Sequence, residues 1–161
     1  MADIPWTSLF TAAAVVDLVV IILSKFFPLT KALGTWYSKF GIVAVLSDIL
    51  IIVLGVALAM LLFPGISGWT LITTAVVIQI IHDILFYIGV IQVVPSGQNA
   101  IIDLFKQYSA EGGWKIIASD SAMVAATVTL MEYYENNLSS DITRFIGTLA
   151  AYSLSYIIYT K

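Results

Sequence analysis

A chain of 161 residues that is 60% hydrophobic and only 11% charged, with its apolar residues in long blocks, lies outside the range of ordinary soluble domains. It has no cysteine, which excludes disulfide exchange, thiol nucleophiles and cysteine-held metal. Ten acids against seven lysines and arginines leave a net charge of -3, and no basic stretch with interleaved aromatics points to nucleic acid.

The first residues lack the positive n-region of a signal peptide, so the first apolar block, residues 8–25, reads as a retained span. It carries Asp17 midway and is closed by Lys25, Pro28 and Lys31. A loop holding Gly34, Trp36, Tyr37 and Lys39 leads to the second span, 41–63, which exceeds the ~20 residues a bilayer crossing needs. Pro64, Gly65 and Gly68 make an uncharged turn into the third span, 69–94, which stops at Pro95-Ser96-Gly97. Residues 98–111 place Ile101, Ile102, Phe105 and Tyr108 opposite Asp103, Lys106 and Gln107, the pattern of a short interfacial helix ended by Gly112-Gly113. A fourth span, 116–135, is rich in Ala and Thr; Ser119, Asp120 or Ser121 is an alternative N-cap that would shorten it. Asn136-Asn137 and Ser139-Ser140-Asp141 turn the chain into a fifth span, 142–160. The expectation is an all-α integral membrane protein, a single domain of five transmembrane helices plus one interfacial amphipathic helix.

Lys25, Lys31, Lys39, Lys106, Lys115 and Lys161 fall on one side of this arrangement and Arg144 on the other. The positive-inside rule makes the lysine side cytoplasmic, with the N-terminus outside and the C-terminus inside. Trp6, Trp36, Trp69 and Trp114 each sit at an expected boundary, as aromatic belts do.

Counting residues at ~1.5 Å each puts Asp17 ~12 Å from Lys25, Asp48 ~14 Å from Lys39, Asp120 ~8 Å from Lys115 and Asp83 ~18 Å from Pro95. Four helices thus each carry an aspartate in the cytoplasmic half. His82 is the only basic candidate at that depth, although helix neighbours are turned by ~100° and need not face one way. Gln79, Asp83 and Tyr87 follow at i, i+4 and i+8 as one polar stripe. Gly41, Ala44, Asp48, Gly55 and Ala59 share roughly one face of the second span, which lets Asp48 approach a neighbouring helix.

Intramembrane ionisable groups are costly, and carboxylates close together in low dielectric must be protonated, hydrogen-bonded or cation-bound. The functional reading is therefore a proton- or cation-binding layer of Asp17, Asp48, Asp83, Asp120, His82, Gln79 and Tyr87, with the identity of any metal open and no organic cofactor implied. The competing reading makes each aspartate a cap or a packing contact. Glu132, Glu135, Asp141 and Arg144 read as a solvated outer surface. No phosphate loop, Ser-His-Asp set or spaced histidines occurs, so His82 with Asp83 is the only pair an enzyme reading could use. Partners implied are the lipid bilayer, protons or cations and, since so small a bundle encloses little room, further copies of the chain for any conduction.

The blocks LSDILIIVLG (46–55), IHDILFYIGV (81–90) and DSAMVA (120–125), with the opening MADIPW, resemble small polytopic membrane proteins of large DNA viruses of algae and protists. The resemblance implies a place in a virion's internal membrane or an infected cell's membrane, and a structural or assembly role as the alternative to ion handling. The shared D-I-L string in spans two and three hints at an internal repeat.

Overall fold

The computed structural model describes residues 3–27 and 30–160. They form seven α-helices and, among the described residues, no strand: α1 (Trp6–Phe26), α2 (Lys31–Phe40), α3 (Ile42–Leu62), α4 (Gly68–Phe86), α5 (Ala100–Gly112), α6 (Trp114–Asn137) and α7 (Ser140–Ile157). A π turn, Tyr87–Ile91, extends α4. The all-helical expectation holds. Three helices, α1, α3 and α4 with its π turn, are long and apolar enough to cross a membrane. Pro28 and Lys161, used above as boundary and charge landmarks, lie outside the described residues.

The bundle is apolar on the outside and small-residued within. On α3, Leu46, Leu50, Leu54 and Leu58 follow at i+4 intervals and are exposed, while Ala44, Val56 and Ala59 on the opposite side are fully buried. Large outward leucines over a small inward face is the inverse of a water-facing helix and fits lipid as solvent. On α7, Phe145, Leu149, Tyr152 and Tyr156 point outward, and the small-residue face turns in: a Cβ on Gly147 would stand 2.5 Å from Thr11 Oγ1 of α1. That hydroxyl donates to the Thr143 carbonyl at 3.3 Å, tying α1 to α7.

Contacts between helix ends define the two ends of the bundle. At one, Ser8 donates to Glu135 and Gly68 N–H donates to Glu132 at 2.5 Å, joining the starts of α1 and α4 to the end of α6. Glu132 and Glu135 are therefore ties between helices rather than a free surface, whereas Asp141 and Arg144 pair 3.4 Å apart in the open. At the other, Lys25 donates to the Thr160 carbonyl, and Lys106 donates to the Val94 carbonyl at 2.6 Å.

Residues 31–40, expected as a loop, form the helix α2. Thr30 caps it, its Oγ1 accepting from Leu33 N–H at 3.0 Å, and Glu111 of α5 accepts from the Ala32 N–H at 3.0 Å. Gly34 costs helix propensity, but the cap and the packing of Ala32, Trp36 and Tyr37 outweigh it. Lys39 thus belongs to a different helix from Asp48, which lies only six residues, ~9 Å, into α3. Ser119, Asp120 and Ser121 cap nothing, because α6 begins earlier, at Trp114.

Two glycines make the corners on which α2 and α5 turn. Gly41 (φ 52°, ψ -123°) ends α2 and opens α3; Gly113 (φ 52°, ψ -132°) ends α5 and opens α6. Each donates its N–H back into the helix it closes, to the Tyr37 and Ser109 carbonyls. This backbone region is essentially closed to other L-residues. A Cβ at Gly113 meets no atom within 4 Å, so Gly113→Ala isolates the backbone effect. It is expected to destabilise the protein by about 1–3 kcal/mol, read as a lower Tm in detergent; an unchanged Tm would show that the corner carries no strain.

Candidate functional site

Helices α3, α4 and α6, roofed by α2 and α5, line a partly open cavity of about 610 Å³. Of the sequence-predicted residues, Asp48, Gln79, His82, Asp83, Tyr87 and Asp120 all line it. Asp17 does not. It sits behind Tyr37, fully buried on α1, close enough to Asp48 for their charges to interact.

Asp48 is held by two donors from the roof: Trp36 Nε1 at 3.1 Å and Tyr37 Oη at 2.9 Å, both to Oδ2. Trp36 is only 4% exposed, which corrects its assignment to the aromatic belt; Trp6, Trp69 and Trp114 are exposed. Burial first, then the charges of Asp48 and Asp17, push the Tyr37 phenol far above its ordinary range, so it keeps its proton and remains a donor. That single proton goes to Asp48, and both oxygens of Asp17 are left without a donor. A bare charge there would cost several kcal/mol, which a proton or cation on the carboxyl relieves.

Across the cavity, Gln79 Nε2 donates to Asp83 Oδ1 at 2.7 Å, the i, i+4 contact of the polar stripe. His82 Nδ1 lies 3.2 Å from the same oxygen, so these neighbours do meet despite their angular separation. Gln79 is 4% exposed, and its Oε1 has no donor; neither has Asp83 Oδ2. Tyr87 lines the cavity at the start of the π turn, a helix irregularity frequent at functional sites. Asp120, half-buried on α6, accepts no hydrogen bond among the described residues. Among them, no three His, Asp or Glu side chains converge closely enough to hold a metal.

The roof contributes what sequence reasoning missed. Phe105 of α5 packs against Trp36 with ring centroids 4.9 Å apart and against Phe86 edge-on at 6.0 Å. Burial, followed by the charges of Asp120, Asp48 and Asp83, raises the Tyr108 phenol above its ordinary range, so Tyr108 stands among all three carboxylates as a neutral hydroxyl.

Trp36, Gly41 and Ser47-Asp48 recur 72 residues later as Tyr108, Gly113 and Ser119-Asp120. The helices follow suit: α1–α2–α3 and α4–α5–α6 each run as a long helix, an amphipathic helix, a glycine corner and a second long helix with aspartate seven residues past the corner. This corrects the hint of a repeat in spans two and three, whose helices run in opposite directions. The halves differ chemically. Tyr108 and Ser109 stand where Trp36 and Tyr37 do and neither donates to Asp120, so Asp48 has two donors and Asp120 none.

No family model, characterised protein or solved structure matches the chain.

Two outcomes test the roof. Tyr37→Phe and Trp36→Phe each remove one donor to a buried carboxylate and should lower stability by about 1.5–3 kcal/mol, read from Tm in detergent, while Tyr108→Phe, which donates to no carboxylate, should leave it nearly unchanged. Glu111 ties α5 to α2, and its hydrogen bonds from Gln107 and then from the Ala32 amide lower its pKa. A lowered carboxyl pKa stabilises the fold above the ordinary glutamate range and ceases to do so as pH falls through the folded value. The protection of the Ala32 amide relative to its intrinsic exchange rate should therefore fall as pH drops through that lowered value; Glu111→Gln should abolish that step.

Proposed function

We propose that this is an integral membrane protein that binds, and by binding handles, protons or cations at the acidic cavity. The observation that carries the reading is convergence: three helices deliver Asp48, Asp83 and Asp120 to one partly open cavity with Gln79 and His82, and among the described residues no Lys or Arg lines it. Asp83 has only His82 as a basic partner, and Asp48 and Asp120 have none, so the layer needs further positive charge or protons from elsewhere. Asp17, behind Tyr37, extends the layer by one group.

In this reading α1, α3, α4, α6 and α7 are five spans, and α2 and α5 lie in one interface. Support comes from the end contacts, which gather Lys25, Lys106 and the glycine corners at one end of the bundle and Glu132 and Glu135 at the other. The positive-inside rule then makes the roofed end cytoplasmic and the N-terminus external.

One observation favours a structural or assembly role instead, for which the membrane of a virion or infected cell would be the setting. Asp48 is fully engaged with Trp36 and Tyr37, so it pins α2 onto α3 whether or not anything binds. The two readings separate by thermal unfolding of purified protein with added Na⁺, K⁺, Mg²⁺ or Ca²⁺ and by dye-reported proton flux in liposomes. A binding site raises stability by about 2.7 kcal/mol at a cation concentration of 100 Kd, or carries protons, and Asp83→Asn and Asp120→Asn abolish the response while the protein stays monodisperse. No cation response and no flux in the wild type would leave the structural role.

A further inference from the structure

We infer that the ligand of this cavity is an organic cation with an apolar body, such as a protonated or quaternary amine, held by Asp83 and Asp120 and by the aromatic wall. The inference rests on the cation-handling reading and names the kind of cation.

The size of the cavity, about 610 Å³, matches small-molecule sites and far exceeds what a proton or a bare metal ion requires. Its lining is mostly apolar, and its rings are continuous: Trp36, Phe105 and Phe86 contact one another in sequence. Aromatic faces attract cations, most strongly when water is excluded. Inorganic divalent ions lack a coordinating set, because no three acidic or histidine side chains converge among the described residues. Phosphate-bearing and other anionic ligands lack a counter-charge, because no Lys or Arg among the described residues lines the wall. A neutral ligand would leave uncompensated the charge of Asp83, whose Oδ2 is buried without a donor, and that of Asp120, which accepts no hydrogen bond among the described residues; Gln79, more than nine-tenths buried, lines the same wall with its Oε1 unpartnered.

The two halves of the repeat indicate which carboxylates act. Asp48 is occupied by its own roof helix, whereas Asp120 is free and Asp83 keeps one unpaired oxygen. A ligand ammonium placed between Asp83 and Asp120 would lie beside Tyr108, a neutral hydroxyl among the charges, with its apolar body against Phe105 and Phe86. Gln79 holds Asp83 in place as a positioning residue.

The test is titration calorimetry of the full chain in a nonionic maltoside with tetraphenylphosphonium as the cation and triphenylphosphine oxide as its neutral counterpart. Saturable binding of the phosphonium with at least ten-fold preference over the oxide is expected in the wild type, a comparison that requires no variant. Asp120→Asn and Phe105→Ala should each weaken phosphonium binding at least ten-fold, and Asp141→Asn, outside the cavity, should not. Competition by benzyltrimethylammonium from water, or by a long-chain amine supplied in nanodiscs, would each support the assignment and identify the source as aqueous or lipid. No saturable phosphonium binding, equal binding of the oxide, or binding indifferent to Asp120→Asn and Phe105→Ala in monodisperse protein would overturn it. Should Na⁺ or proton flux still depend on Asp83 while the phosphonium fails to bind, the organic cation is rejected and the broader reading stands.

Discussion

Everything around the cavity depends on two backbone corners. An amphipathic helix at the end of a bundle must turn sharply to pass from a position across the helix ends into a helix running through the bundle, and the turn must leave no polar backbone group unsatisfied. Gly41 and Gly113 accomplish this at φ 52° while donating their own N–H groups back into the helix they close. Because each corner is one residue long, the side chains five residues before it and seven after it are held in a fixed relation. Trp36 is thereby brought to Asp48, and Tyr108 to the neighbourhood of Asp120.

Given these corners, the packing follows rules suited to a lipid solvent. Leucines on α3 and aromatic side chains on α7 face outward, and Ala, Gly, Val and Thr at the helix contacts allow close approach. Large buried side chains such as Leu9, Leu71 and Met131 fill the end of the bundle away from the roof, while Trp36, Phe105 and Phe86 form an aromatic wall along the cavity. Its polar groups sit where small residues leave room, as Gly55 does opposite Gln79.

Much of this was legible in the sequence for one reason: polar residues inside apolar runs are expensive, so each stands out. Asp17, Asp48, Gln79, His82, Asp83, Tyr87 and Asp120 were all visible that way, and the four-residue spacing of Gln79, Asp83 and Tyr87 gave their shared face. Less legible was α2, because ten residues containing a glycine have little intrinsic helicity and its stability comes from Thr30, Glu111 and buried contacts. Trp36 misled because the same side chain serves a lipid interface and a buried donor equally well. The repeat was hidden because packing against lipid constrains volume and polarity far more than identity, leaving only an aromatic residue, a glycine and a Ser-Asp pair in common. The exclusion of Asp17 from the cavity depends on the rotation of α1 and on Tyr37, neither of which periodicity specifies.

The recurrence of one helix pattern in a single polypeptide has a consequence for symmetry. Two identical subunits around a two-fold axis would present two equivalent carboxylates, each engaged or each free, with no means of assigning different tasks. Joined in one chain, the halves can carry Tyr37 in one and Ser109 in the other. One aspartate then serves as an anchor and its counterpart remains open, so the degeneracy of a symmetric site is lifted by the two side chains four and five residues before the glycine corner.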